Sequence, residues 1–153
     1  MIELRPMSEA EFAAFKVFLY EDYAQDRARG LGTPIEEERK NATQQIDQLT
    51  EEGLASSAHY YWKLVTEDGS AVGDLWVFVE HDKPRAFIYF IGVDEGQRGK
   101  GYGQQALAAL EDALRPLGVR RIELNVFGDN ATAQRLYARA GYEISAIYMR
   151  KEI

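Results

Sequence analysis

The sequence has no cysteine and only two histidines, His59 and His81. The chain therefore has no disulfide, no thiolate metal ligand and no cysteine nucleophile, and too few histidines for a histidine-rich metal site. No uncharged run approaches the roughly 18 residues that a membrane-spanning helix needs. Residues 1–11 carry acids and no apolar block, so no secretory signal is expected. The net charge of −7 disfavours general binding to nucleic acid. We expect a cytoplasmic protein that holds no metal and contacts neither membrane nor nucleic acid.

The composition and the hydrophobic patterning indicate one α+β domain over residues 1–153. Hydrophobic residues make up 46% and charged residues 28%, as in an ordinary globular domain. The patterns predict the order β-α-α-β-β-β-α-β-α-β, with a mostly antiparallel sheet and one parallel strand pair. Strands are predicted over 2–5, 60–66, 71–80, 86–93, 122–126 and 142–151. Helices are predicted to begin near Ser8, Thr33 and Gly103, and the last helix at Asp129 or Asn130.

Two capping boxes predict where the first helices begin. Ser8 with Glu11 begins one helix, and Gly30-Leu31-Gly32 ends it. Thr33 with Glu36 is expected to cap the next helix, with Pro34 in its first turn.

A glycine-rich stretch after the fourth strand is the most informative part of the sequence. Gly99, Gly101 and Gly103 alternate with Lys100 and Tyr102 directly before a predicted helix. The first N–H groups of a helix have no partner within it, and together with the helix dipole they favour an anion such as phosphate. We therefore predict a phosphate-bearing cofactor that is held mainly by backbone.

Three cofactor types compete for this stretch. The order G-x-x-x-x-G-K-[ST] of a Walker loop is absent. Gly101-x-Gly103-x-x-Ala106 with Glu123 fits a dinucleotide fingerprint, but that turn should follow the first strand of a long α/β alternation. Here it follows about two thirds of the chain, so coenzyme A ranks above a dinucleotide.

Two motifs resemble the GNAT superfamily of N-acetyltransferases. Arg98, Gly101 and Gly103 occupy the defining positions of its acyl-CoA motif, [QR]-x-x-G-x-[GA]. The segment from Asn130 to Tyr142 matches each fixed position of the later signature N-x-x-A-x-x-L-Y-x-x-x-G-[FY]. The ending Met149-Arg150-Lys151 also resembles the family's common M-x-K.

The resemblance implies a fold, a cofactor and a reaction. The fold would be the GNAT acyl-CoA N-acyltransferase fold, whose central parallel strands splay apart around the pantetheine arm. The cofactor would be acetyl-CoA, and a primary amine would attack its thioester directly. The acceptor stays open between a small-molecule amine and a peptide or protein N-terminus, and the protein between monomer and homodimer.

The resemblance also assigns roles to individual residues. Tyr137 would donate a proton to the leaving sulfur, since a phenol near pKa 10 stays protonated beside a thiol near 8.5. A backbone N–H near Val93 would bind the thioester oxygen. The residues expected to contact the cofactor are Ile91, Val93, Arg98, Gly99, Lys100, Gly101, Tyr102, Gly103, Asn130, Ala133 and Tyr137.

The general base is not fixed by the sequence. Glu80 is slightly preferred because it ends the strand that pairs with the central one. The other candidates by residue type are Glu123, Asp74, Tyr89, His59 and His81. Two other functions stay open: a non-catalytic acyl-CoA sensor on the same fold, and a dinucleotide-dependent oxidoreductase.

Overall fold

The computed structural model describes residues 1–153, in which a five-stranded mixed sheet is flanked by helices on both faces. The sheet order is β1-β2-β3-β4-β5; the first three pairings are antiparallel and β4–β5 is parallel. This confirms the predicted α+β class, with a mostly antiparallel sheet and one parallel strand pair. The elements are β1 (Glu3–Pro6), α1 (Glu9–Leu31), α2 (Ile35–Leu49), β2 (His59–Val65), β3 (Ala71–Glu80), β4 (Arg85–Val93), α3 (Tyr102–Leu114), β5 (Arg121–Leu124) and α4 (Ala131–Arg139).

Each face of the sheet has its own core. On one face, α3 packs Leu107, Leu110 and Leu114 against the strands, and α4 contributes partly buried side chains. On the other face, α1 and α2 bury Phe12, Phe15, Leu19 and Ile46 against Tyr61 and Trp76. α1 and α2 are therefore fixed on the sheet face opposite α3.

The first capping box is confirmed and the second is wrong. The Ser8 hydroxyl accepts from the N–H of Glu11 at 3.2 Å, and the Glu11 carboxylate accepts from the N–H of Ser8 at 2.9 Å. At α2 the N-cap is Pro34, with no side-chain cap. The Thr33 hydroxyl instead donates to Glu38 at 3.0 Å.

Glu38 explains that difference, because it is a buried carboxylate that needs donors. Its side chain is 3% exposed and accepts from Nε of Arg27 at 2.5 Å. Burial alone would raise the pKa of Glu38, but the hydrogen bonds from Arg27 and Thr33 outweigh it and hold the pKa below its ordinary value. The pair ties α1 to α2.

The strand predicted over residues 142–151 is not formed within this chain. The last backbone hydrogen bond runs from the N–H of Tyr142 to the carbonyl of Tyr137 at 2.9 Å. Residues 143–153 then run along the surface, and Arg150 Nη1 donates to the carbonyl of Gly30 at 2.6 Å. No helix of the chain is both long and apolar enough to cross a membrane.

Candidate active site at the parting of two parallel strands

A row of unpaired backbone N–H groups lies between β4 and α3. The N–H of Arg98 is bonded to Glu95 and the N–H of Gln105 to Gly101, but those of residues 99–104 have no acceptor within the protein. Gly99 and Gly101 make this turn possible, with φ of 78° and 83°. Gly101 is the N-cap of α3, so the donors point out of the positive end of that helix. The turn can bind a diphosphate through backbone alone.

The two cations of the turn are held by its own residues. Nε of Arg98 donates to the carbonyl of Val93 at 2.9 Å, so this side chain folds back onto β4. Nζ of Lys100 donates to Gln97 Oε1 at 3.0 Å. Both side chains are exposed and border the free N–H groups.

Helix α4 approaches the same turn from the α3 side. A Cβ built on Gly103 would lie 3.1 Å from Cδ2 of Leu136, so the two helices pack closely here and Leu136 would have to shift by a few tenths of an ångström to admit it. Asn130 caps α4, as predicted, by accepting from the N–H of Ala133 at 3.1 Å.

Tyr137 follows Leu136 on α4 and packs against the core of this face. Burial raises the pKa of the Tyr137 phenol, and no hydrogen bond contributes to that rise. The phenol therefore keeps its proton at neutral pH and has it free to donate.

Strands β4 and β5 part beside this turn. Their pairing covers only Arg85–Ile88 and Arg121–Leu124, after which β4 continues to Val93. The N–H of Asp94 bonds to Val72 on the β3 side, so by alternation the polar groups of Val93 and Ile91 face the gap. The Arg98 bond to the Val93 carbonyl agrees with this direction. A β-like ligand arm inserted here would find backbone partners at Ile91 and Val93.

Helix α1 crosses over the gap on the opposite sheet face. Near its middle, the ring of Phe18 lies 5.7 Å from that of Phe90 on β4. Near its end, Arg29 Nε donates to Asp129 Oδ2 at 2.8 Å, and Gly30 sits against the ring of Phe127 beyond β5. The part of α1 between Phe18 and Arg29 therefore bridges the parted strands.

Asp22 lies on this bridging part, one turn after Phe18, and the sequence reasoning missed it. Its carboxylate is half-buried, and burial, reinforced by the charge of Asp26, raises its pKa to about 6. The positive charges of Arg29 and Arg98 act in the opposite direction. One signal in the sequence could have found Asp22. It is an acid that follows Phe15 and Phe18 at helical spacing, on the side of α1 that faces the sheet.

A shallow trough runs along the sheet face that carries α1 and α2, in the part of that face that these helices leave uncovered. It holds about 260 Å³ and begins where the strands part, at Tyr89. The Tyr89 ring stacks on Trp76 at 4.6 Å and meets Phe87 at 5.0 Å, so the floor is aromatic. The lining residues are Phe78, Glu80, Arg85, Ala86, Phe87, Tyr89 and Glu123.

The two acids predicted as candidate bases lie at the far end of this trough. Glu80 forms an ion pair with Arg85, and this hydrogen-bonded pairing lowers the pKa of the Glu80 carboxylate. Glu123 lies 4.0 Å from the same guanidinium. Together the three side chains carry one net negative charge into the trough.

The remaining candidates are engaged elsewhere. His59 Nδ1 accepts from Trp76 Nε1 at 2.9 Å, and burial lowers the His59 pKa. His81 Nε2 donates to the carbonyl of Ser57 at 2.7 Å. Asp74 pairs with Lys63 at 2.6 Å. The structure therefore has a backbone anion site beside a strand gap, and an aromatic trough with acids at its far end begins where that gap opens.

Comparison with known proteins agrees with this geometry. The model of the acetyltransferase (GNAT) family matches residues 17–142. The uncharacterized N-acetyltransferase YycN of Bacillus subtilis (strain 168) is 36% identical over 155 residues, which cover 99% of each chain. YdgE from the same organism, also an uncharacterized N-acetyltransferase, is 37% identical over 98% of this chain and 97% of its own.

Solved structures show the same fold. The crystal structure of Bacillus subtilis YycN superposes with a TM-score of 0.96, covering 100% of this chain and 99% of YycN at 35% identity. The structure of AAC(6')-Iy, solved with a bisubstrate analogue, CoA-S-monomethyl-acetylneamine, gives a TM-score of 0.64 at 19% identity over 100% of this chain and 99% of its own, a likeness of fold alone. The chain belongs to the GNAT family of acetyltransferases.

Proposed function

We propose that the protein transfers an acetyl group from acetyl-CoA to a primary amine by direct attack of the amine on the thioester. The observation that carries this proposal is the run of unpaired N–H groups over residues 99–104 at the positive end of α3. These donors suit the diphosphate of coenzyme A, with Arg98 and Lys100 at their border. The pantetheine arm then lies along Ile91 and Val93 in the gap.

The chemistry follows from what surrounds the gap. The free N–H of Val93 binds the thioester oxygen and stabilises the charge that develops there during attack. The Tyr137 phenol donates to the sulfur as the C–S bond breaks, so coenzyme A leaves as a thiol. Asn130 and Ala133 at the start of α4 border the arm.

The acceptor approaches from the trough side, where net negative charge favours a protonated amine. The amine must lose a proton before it attacks, and a base whose pKa is close to working pH does this best. Asp22, with a pKa of about 6, meets that condition, and it lies on the helix that bridges the gap. Glu80 stays a prediction, and its pairing with Arg85 makes it the weaker base. The acceptor is a small-molecule amine or a peptide N-terminus.

Release of free thiol from acetyl-CoA, measured over a panel of amines and peptides, tests the proposal. Turnover with at least one amine is expected, and product mass should show one added acetyl group. A non-catalytic sensor would bind coenzyme A and release no thiol above background with any acceptor. Binding of NADH without binding of coenzyme A would favour the oxidoreductase.

The role of Tyr137 has a matched control. Tyr137→Phe should lower kcat by about 100-fold, as expected for loss of a general acid, with coenzyme A affinity nearly unchanged. Tyr60 lies on β2, which is separated from β4 by β3, so Tyr60→Phe should leave kcat unchanged. Equal turnover in wild type and Tyr137→Phe would remove the proposed role.

A further inference from the structure

The C-terminal segment, residues 143–153, has the sequence of a strand but no strand partner in its own chain. Its backbone makes no hydrogen bond to the rest of the protein's backbone. Its large apolar side chains are 73–116% exposed: Ile144, Ile147, Tyr148, Met149 and Ile153. Apolar side chains clustered in this way mark an interaction surface.

The segment is nevertheless directed by a specific contact. Arg150 Nη1 donates to the carbonyl of Gly30 at 2.6 Å, at the negative end of α1, where a cation is favoured. This contact holds the segment at the C-terminal end of α1, where its backbone pairs with no strand of its own sheet.

The sheet offers one edge that suits such a segment. β5 pairs only with β4, so the N–H and C=O groups along its other side are open to a further strand. The opposite edge, β1, is protected by Pro6, which has no N–H, and by the Arg5–Glu11 ion pair. β5 has no proline, and its Ile122 and Leu124 already pack partly into the core.

We propose that two copies of this chain exchange their C-terminal segments, each adding a strand to the open edge of β5 in the other copy. Each copy carries both the segment and the edge, so one twofold axis satisfies both contacts at once. Eleven residues at about 3.3 Å each reach about 36 Å, enough to cross to a neighbouring copy.

The apolar area supports a stable dimer. Full burial of one large aliphatic or aromatic side chain removes about 60–120 Å² of apolar surface from water. Five side chains from each copy remove about 600–1,200 Å², a range that includes the about 1,000 Å² that a specific interface should clear. The added strands contribute backbone hydrogen bonds as well.

The exchange brings the partner copy to the trough. Glu123 lines the trough from β5, so a strand added outside β5 continues its wall. Alternate side chains of the partner's segment then face the acceptor. The proposed exchange of segments does not depend on which amine is the acceptor.

The absence of native cysteine makes the exchange directly testable by disulfide trapping. One preparation carries Arg121→Cys on β5, and a second, distinguishable by mass, carries one cysteine in turn at positions 144–149. The two are mixed, partly unfolded and refolded together, then oxidised. A mixed-chain disulfide is expected with at least one segment position and not with a control, Val17→Cys, on α1, where the native valine is 69% exposed.

Sedimentation of the unmodified protein completes the test. A dimer is expected at micromolar concentration, and Ile147→Lys with Tyr148→Lys should give a folded monomer while Val17→Lys stays dimeric. The exchange is overturned by a monomeric wild type, or by a dimer whose Arg121→Cys forms no disulfide with any segment position. Disulfides that form equally well with the Val17→Cys control also overturn it.

Discussion

Replacement of Gly101 by alanine separates the cofactor role of the glycine turn from its role in folding. Gly101 has φ of 83° and ψ of 7°, a left-handed conformation that costs an L-residue about 1–2 kcal/mol. A Cβ added there would meet nothing closer than Gln105 Nε2 at 3.9 Å, so there is no steric clash. The whole cost of Gly101→Ala is conformational.

The exposed turn can avoid that cost by relaxing, which moves the free N–H groups away from their common direction. Coenzyme A must then restore the conformation when it binds. A cost of about 1–2 kcal/mol corresponds to an increase in Kd of about 5- to 30-fold. Isothermal titration with coenzyme A measures this increase, and a thermal melt of the ligand-free protein measures the change in stability.

Gly118 supplies the matched control. It has φ of 81°, and a Cβ added there would meet nothing within 4 Å. It lies beyond the far end of α3, about 25 Å from Gly101 along the helix. Gly118→Ala should lower the free energy of unfolding by about 1–2 kcal/mol, or a few degrees in Tm, and leave the Kd unchanged. Equal Kd changes in the two variants, or an unchanged Kd in Gly101→Ala, would refute the reasoning.

Three other substitutions test the core and the proposed base. Arg27→Ala leaves the buried Glu38 carboxylate unpaired and should lower the free energy of unfolding by about 3–5 kcal/mol, measured with urea. The control Arg39→Ala removes an exposed ion pair and should lower it by less than about 1 kcal/mol. Equal losses in the two variants would contradict the buried pair. Tyr61→Phe removes a buried hydroxyl that has no partner and should be neutral or stabilising in the same assay, so a loss above about 1 kcal/mol would reveal a missed bond. Asp22 accepts a proton only when it is ionised, so kcat/KM should rise as pH increases through about 6, and Asp22→Asn should lack that rise. An unchanged profile would exclude Asp22 as the base.

Local patterns in the sequence predicted the elements whose signals are short-range. Strand β3 has the predicted bounds, and the Ser8–Glu11 box begins α1 because both groups lie within one turn. The glycine turn was also predicted, since positive φ and free N–H groups are both consequences of residues 99–103 alone.

The differences arise where a residue's partner is distant in the chain. Thr33 looked like a helix cap, but the buried Glu38 takes its hydroxyl, and only the packing of α1 on α2 shows that burial. The role proposed for Asp22 depends on α1 crossing the strand gap, which no local pattern in the sequence shows. Residues 142–151 have strand character, but a strand also needs an edge, and this chain does not pair them with one.

Backbone amide signals over residues 99–104, followed by NMR as coenzyme A is added, test the central claim most directly. We predict that these N–H groups show the largest shifts and become protected from hydrogen exchange, and that pantetheine, which lacks the diphosphate, leaves them unchanged. Binding of coenzyme A with those six N–H groups unshifted and still exchanging would contradict the proposed site.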